Sequence, residues 1–259
     1  MTTYERRQSL IDLLRRQPGL RVPEIASALK VSEGTVRNDL NALEEEGRLT
    51  RFHGGAVLTE QKNLTNTSFT DRHREHADKK DAIARVAANT VQDGDSILLD
   101  ASSTVYYLAL ALETRRRLRV VTNGLDVARL MAKNASNTVI LIGGILSQDG
   151  SSVTGLFSEQ SIRELHVQKA FVSGSGFSME RGLTEVHLDE AQLKRKAIEV
   201  AKQVFALVDS SKLGHEDLTP FARIEQICCL YTDKGITPEW KQSIEQAGID
   251  ITICGGESD

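Results

Sequence analysis

The 259-residue chain has no run of about 18 consecutive apolar residues, so no stretch is a candidate for a membrane-spanning helix. The opening MTTYERRQSL has no apolar core, which excludes a secretory signal and leads to an expected cytoplasmic location. Cysteine is scarce. Cys228, Cys229 and Cys254 stand in apolar stretches without metal-type spacing, and adjacent cysteines seldom bridge each other, so buried reduced thiols are expected. An excess of basic charge is also missing: 32 Lys and Arg stand against 36 Asp and Glu, a net charge of −4. Nucleic acid cannot be held by bulk attraction alone. What remains is ordinary for a soluble globular protein, with 40% hydrophobic and 26% charged residues. The length suits a small domain followed by a medium one.

The most informative stretch is Val22 to Ala56, VPEIASALKVSEGTVRNDLNALEEEGRLTRFHGGA. Ile25, Ala26 and Leu29 recur at helical spacing, KVS interrupts, and Val36, Leu40 and Leu43 resume the pattern. Two short helices joined by a tight turn are expected. Ser32 stands where an N-cap belongs, and Glu33 puts negative charge at the positive end of the second helix. The face away from Val36 and Leu40 carries Glu33, Thr35, Arg37 and Asn38, a set of hydroxyl, guanidinium and amide groups suited to reading base edges in a major groove. RLTRFHGGA then predicts a short strand and a tight wing turn carrying Arg51 and His53, with Arg51 facing a phosphate or a minor groove. Helix pairs that bind nothing share the periodicity. The capped helix, its early basic residue and the Gly-Gly wing together favour DNA.

These residues also carry a resemblance. VSEGTVRNDLNALEEEGRLTRFHGGA resembles the N-terminal signature of the DeoR family of bacterial transcriptional regulators. The family pattern has two Arg residues before the Asp of the recognition helix; here Arg37 is followed by Asn38, a change that bears on operator preference or on reading an adenine edge.

Before this stretch, YERRQSLIDLLRR predicts a first helix ended by Pro18 and Gly19, with a solvated basic face. Residues 1–56 hold nine Lys or Arg against eight Asp or Glu, so a single copy offers few phosphate contacts and a homo-oligomer is expected. The periodicity fades after residue 57, in VLTEQKNLTNTSFTDRHREHAD. The expected organisation is a winged helix-turn-helix domain over 1–57, a linker over 58–78 and a sensor domain over 79–259. Leu58, Leu64 and Phe69 are the linker's candidates for docking on a neighbouring surface. His73 and His76 have no accompanying ligand cluster, so neither a metal nor a cofactor is called for.

From Lys79 onward helices alternate with apolar strands: SILLD, LRVVTN, NTVILIGG, KAFVSGS, VFALVD, EQICCLYTD and DITIC. Such runs imply a mainly parallel sheet covered on both faces, with ligands bound at its carboxyl edge. At that edge stand Asp100, Ser102, Ser103, Thr104, Thr122, Asn123, Gly143, Gly144, Asp209 and Lys212, with Lys194 on a nearby helix. The three hydroxyl residues at a helix N-terminus suit either simple capping or an anion, with phosphate the leading candidate. Lys194 and Lys212 tilt the balance toward the anion. Asp100, Asn123 and Asp209 are placed to meet sugar hydroxyls or to cap loops. Gly143 and Gly144 admit a ligand closely or make a turn.

This half is similar to the effector domain of the same family, which is related in fold to ribose-5-phosphate isomerases; the matching segments are LLDASST, VVTNG, LIGG, GLTE, DEAQLKRK and LVDSSK. The resemblance implies a two-domain α/β protein in which Ser102 to Thr104 hold a phosphate, Thr122, Asn123, Gly143 and Gly144 line the pocket, and Lys194, Asp209 and Lys212 complete it. Ser102 stands where Gly is common, which suggests a differently shaped phosphate loop. The implied function is a repressor of a carbohydrate catabolic operon, controlled by a phosphorylated sugar. The rival is a sugar-phosphate isomerase-like enzyme carrying a DNA-binding domain. Isomerases of this fold carry a paired-Asp turn, whereas the corresponding Ser173 to Gly176 reads SGSG, and Lys194-Arg195-Lys196 occupies the region of the later acid. Glu185, Asp189 and Glu190 are the remaining carboxylates near that edge.

Overall fold

The computed structural model describes residues 3–16, 20–45, 49–52, 55–58 and 69–255. The chain forms two compact units, Met1–Asn66 and Thr67–Asp259.

In the first unit, α1 (Thr3–Arg16), α2 (Val22–Leu29) and α3 (Glu33–Glu45) precede a ribbon of β1 (Leu49–Phe52) and β2 (Gly55–Leu58). The two helices read from Ile25 and Val36 are thus α2 and α3, and their apolar stripes meet. Leu10, Leu14, Ile25, Val36, Leu40, Leu43, Leu49 and Ala56 form one core, all 2% exposed or less. The strands pair antiparallel, Leu49 opposite Leu58 and Phe52 opposite Gly55. Lys30 closes α2 in a left-handed conformation with φ 55°, which turns the chain sharply into α3. Asp39 is a buried carboxylate on α3. It accepts from Arg6 Nε at 2.5 Å and Arg7 Nε at 3.3 Å, so part of the basic face expected on α1 is used to fasten α1 to α3.

The second unit begins earlier than the sequence suggests. Residues 69–78 were expected as linker, yet they include α4 (Phe69–Arg74) and the start of α5 (Ala77–Ala87). Aromatic packing explains the difference: Phe69 meets Tyr106 edge-on at 5.6 Å, and His73 stacks on Tyr107 at 4.7 Å. Phe69 therefore docks as anticipated. His73 is spent on this stack, its pKa lowered by burial. Leu64 and residues 59–68 lie outside the described residues.

The remaining elements are β3 (Ser96–Leu99), α6 (Ser103–Ala111), β4 (Arg119–Thr122), α7 (Leu125–Met131), β5 (Thr138–Leu141), β6 (Ile145–Leu146), β7 (Val153–Thr154), α8 (Leu156–Arg163), β8 (Val167–Val172), β9 (Gly176–Ser178), β10 (Gly182–Glu185), α9 (Leu188–Glu199), β11 (Ala201–Leu207), β12 (Thr219–Ala222), β13 (Cys229–Asp233), α10 (Pro238–Gln246) and β14 (Asp250–Cys254). Seven strands form one sheet in the order β14-β13-β11-β8-β3-β4-β5, with every pairing parallel. Alternate residues serve opposite faces. Ile97, Leu99, Phe171, Phe205 and Leu207 pack with residues of α5, α6 and α7, whereas Leu98, Ala170, Val172, Val204 and Ala206 pack with residues of α8, α9 and α10. Cys229 and Cys254 sit in the first of these cores, and Cys228 packs against it.

Sequence periodicity did not announce the small antiparallel sheet β12-β10-β9 or the β6-β7 ribbon. These strands have only two to four residues each, too few for alternation to show. The main sheet grows outward from β3 in one direction and from β8 in the other. Between them lies the switch point, where the carboxyl edge opens a crevice.

Candidate functional site

The first candidate surface is the exposed side of α3. The Ser32 hydroxyl accepts from the Thr35 amide at 3.1 Å and pairs with the Thr35 hydroxyl at 2.9 Å. Ser32 is thus the N-cap of α3, and helix formation presents Glu33, Thr35, Arg37 and Asn38 on successive turns. Glu33 and Arg37 form an exposed pair at 2.6 Å, worth only a few tenths of a kcal/mol and easily exchanged for a phosphate or base edge. Asn38 is exposed. Arg51 differs from expectation: its amide donates to Glu44 at 3.0 Å and its guanidinium donates to Asn41, so the side chain lies back on α3. His53 lies outside the described residues. Replacing Ser32 by Ala should lower the stability of this unit by about 1 kcal/mol, because one amide of the first turn loses its acceptor. Thermal unfolding read by circular dichroism checks it; an unchanged transition would mean the cap is not formed.

The second candidate lies at the switch point. The Asp100 carboxylate, buried just beyond β3, accepts from the Ser102 amide and the Ser173 amide, each at 2.9 Å. It ties the ends of β3 and β8 together and so fixes the loop that enters α6. There Ser102 caps the helix, accepting from the Val105 amide at 3.3 Å. Ser103 and Thr104 are buried in the first turn, and the Thr104 hydroxyl has no hydrogen-bond partner among the described residues.

Lys194 reaches this point from α9. Its ammonium donates to Ser173 O at 2.8 Å and to Glu185 at 2.5 Å, and lies 3.6 Å from Asp100. Burial alone would depress its pKa, but the charges of Glu185, Asp100 and Glu190 hold it above the usual lysine range. This alters the role expected of Lys194: its charge is already met by carboxylates. Lys212 completes the ring, donating to the Ser173 hydroxyl at 3.2 Å and lying 3.7 Å from Asp209. Burial lowers its pKa, against the attraction of Asp209. Asp209 receives the Ser211 amide at 3.2 Å, and its other oxygen lacks a hydrogen-bond donor among the described residues.

Thr122, Asn123, Gly143 and Gly144 gather on the other side. The Thr122 hydroxyl accepts from the Gly124 amide at 3.0 Å, and the Asn123 amide nitrogen donates to Val153 O at 3.2 Å. Asp100, Thr122, Asn123 and Lys194 line one small recess floored by Leu98, Val121, Ile142 and Leu193. Gly144 is required by the protein's own packing, since a Cβ there would lie 2.4 Å from Thr154 O and 2.1 Å from Ser158 Oγ. Nothing lies within 4 Å of a Cβ placed at Gly143.

Three participants escaped the sequence as site residues. Ser173 is the junction that Asp100, Lys194 and Lys212 all contact, yet it is uncharged and its partners come from three distant segments. Glu185 and Glu190 were visible only as stray carboxylates. Burial would raise Glu185, but Lys194 holds it below the usual range; burial pushes Glu190 up, against the pull of Lys194 and the Ser152 hydroxyl bond at 2.5 Å. Among the described residues no cluster suits a metal ion.

Two family profiles match the chain: the DeoR-like helix-turn-helix domain over residues 6–62 and the DeoR C terminal sensor domain over residues 75–234. The HTH-type transcriptional regulator GolR of Listeria innocua is 37% identical, over 98% of this chain and all of that protein. The lactose phosphotransferase system repressor of Streptococcus mutans is 34% identical over 90% of this chain and 93% of its own length. The glycerol-3-phosphate regulon repressor of Escherichia coli is 29% identical over 98% and 100%. A ribose-5-phosphate isomerase of Methanocaldococcus jannaschii aligns in structure over 54% of this chain and 55% of its own, with 19% identity and a TM-score of 0.40. A helix-turn-helix unit joined to an α/β sensor unit defines a DNA-binding transcriptional regulator. The chain belongs to the DeoR family.

Proposed function

We propose that this regulator represses a carbohydrate catabolic operon and that a phosphorylated sugar, bound at the switch point, controls its grip on operator DNA. The observation that carries the reading is the amino end of α6. The Thr104 hydroxyl in its first turn is buried and has no partner among the described residues, and Lys212 donates to Ser173, which Asp100 ties to the Ser102 amide at the same helix end; the amino end of a helix favours an anion. Asp209, Asn123 and Glu190 are the partners proposed for sugar hydroxyls. Relatives named for a lactose phosphotransferase system and a glycerol-3-phosphate regulon support the ligand class. DNA is met by Ser32 at the cap of α3 and by Glu33, Thr35, Arg37 and Asn38 on it, with Arg51 and His53 as the further candidates that the sequence names. Coupling runs both ways: an effector that weakens DNA binding is weakened equally by DNA. The working form is at least a dimer, because one helix-turn-helix reads one half-site.

Fluorescence anisotropy on the protein's own upstream DNA, at fixed salt, with phosphorylated sugars and their free counterparts, tests the reading. One phosphorylated compound should shift the binding curve; equal action of free and phosphorylated sugars would overturn the anion site. Catalytic turnover of the same compounds would favour the isomerase reading instead.

Thr104→Val gives a sharper check, since the two are nearly isosteric. Replacing a buried hydroxyl that has no partner should leave stability unchanged or raised, whereas loss of a donor to phosphate should weaken effector binding about tenfold. A variant that binds the effector as well as the wild type would place the phosphate elsewhere.

A further inference from the structure

One edge of the sensor unit exposes apolar side chains outside the residues proposed to meet DNA and effector. It starts on β5, the last strand of the seven-stranded sheet, where Ile140 is 40% and Leu141 46% exposed. It continues through Ile145 and Leu146 of β6, at 68% and 55%, to Leu156 and Phe157 in the first turn of α8, at 65% and 71%. Strand alternation puts Ile140 on the α8 side of this edge and Leu141 on the α7 side, and short-range packing holds β6 against the start of α8. The Ser158 hydroxyl donates to Gly143 O at 2.8 Å, Gly144 lies against Thr154 and Ser158, and the Ile145 side chain lies over Gly155.

Among the described residues the strand edge itself is open. Thr138 and Ile142 donate toward β4, to Leu118 O and Thr122 O at 2.8 Å each, so strand alternation turns the amides and carbonyls of Val139 and Leu141 outward. Proteins normally guard such an edge with lysine, proline or a bulge. From Asn137 to Gln148 there is neither a charged residue nor a proline, and the β4-β5 register runs without a break.

We propose that a second copy of this chain docks here, with β5 antiparallel to β5 of its mate across a two-fold axis. Three observations favour a copy of itself over another protein. The six exposed residues on the two sides of this edge leave on the order of 700 Å² per copy in water, near the ~800 Å² each partner gives to a standard interface. An edge strand paired with its own mate satisfies the outward groups of both copies with the same four residues, as isologous contacts require. Among the described residues, every exposed large apolar side chain lies in the sensor unit and none in the DNA-binding unit. The interface leads directly into Gly143 and Gly144, beside the switch-point crevice.

The test needs neither DNA nor effector, so its outcome is separate from that of the proposed function. Sedimentation equilibrium of the full chain at micromolar concentration should show an assembled wild type. The double variant Ile145→Asp, Phe157→Asp should associate at least about a hundredfold more weakly and fall to half the wild-type mass or less. Leu141→Lys, which charges the open edge, should do the same. Leu218→Asp, at an unrelated site 81% exposed, should assemble as the wild type does. Fluorescence of Trp240 should show a cooperative unfolding transition for every variant, with a midpoint that rises with protein concentration only for the wild type and Leu218→Asp, as linkage to association requires. A monomeric wild type, or edge and patch variants that keep the wild-type mass while folded, would overturn the proposal.

Discussion

Replacing Lys194 by Met is expected to destabilise the sensor unit by about 3–5 kcal/mol, the cost of removing one partner from a buried ion pair. The Lys194 side chain is only 7% exposed, and its ammonium is the counter-ion of Glu185 at 2.5 Å and Asp100 at 3.6 Å. Met preserves the length of the side chain but leaves both carboxylates in a medium that cannot solvate them. Urea unfolding followed at Trp240, the chain's single tryptophan, reports on this unit alone. The effect carries a pH signature. In the wild type Glu185 is held below its ordinary value, so its contribution to stability is complete above the unfolded carboxylate range and lost as pH falls through the lowered folded value. In the variant burial has no opposing charge and pushes Glu185 above its unfolded value; the penalty is then full at neutral pH and shrinks as Glu185 takes up a proton. The gap between wild type and variant should therefore narrow from about pH 7 to about pH 5. A loss below about 1 kcal/mol, or a gap indifferent to pH, would show that Lys194 is not the counter-ion.

Arg37→Ala should weaken operator binding by about 1–3 kcal/mol for each half-site, roughly ten- to a hundredfold per copy engaged. Arg37 lies on the second turn of α3 with its side chain 55% exposed, and the partner it must leave, Glu33, is itself 45% exposed. Leaving Glu33 costs little, so nearly all of the loss should appear in DNA affinity. Because neither side chain is part of the core, the unfolding transition of the DNA-binding unit should stay in place. Titration of operator and of unrelated duplex at several salt concentrations separates two roles. A specific loss marks a base contact, whereas a uniform loss with a smaller salt slope marks a phosphate contact. Unchanged affinity for both duplexes would move the recognition surface away from this part of α3.

The two effects draw on different physics, and so does their legibility in the sequence. The recognition helix could be read directly, because its determinants are local: Ser32 caps an amide three residues on, and Glu33, Thr35, Arg37 and Asn38 share a face through helical periodicity alone. Asp39 could not be read that way. It sits on the same helix, yet its contacts with Arg6 and Arg7 span more than 30 residues of sequence.

In the sensor unit the sequence showed strand ends but not the contacts made there. Strand ends could be located from apolar runs, which brought Asp100, Thr122, Asn123 and Asp209 to one edge on paper. Asp100, however, spends both oxygens on the Ser102 and Ser173 amides, and Gly144 is small because Thr154 and Ser158 press against it. Lys194 looked like a free cation, but a charge is free only if no opposite charge lies within a few ångströms, and sequence spacing carries no such distance.

Local periodicity, caps and apolar strand length are nearest-neighbour properties of the chain, and by themselves they determined two domains, a helix-turn-helix and a parallel sheet flanked by helices. Tertiary structure alone decided where the sheet reverses at β3 and β8, which charges neutralise one another there, how early α4 docks, and that β5 is left as an open edge. Each of these depends on which distant segments become neighbours, a choice made by the packing of the whole core rather than by any one stretch of sequence.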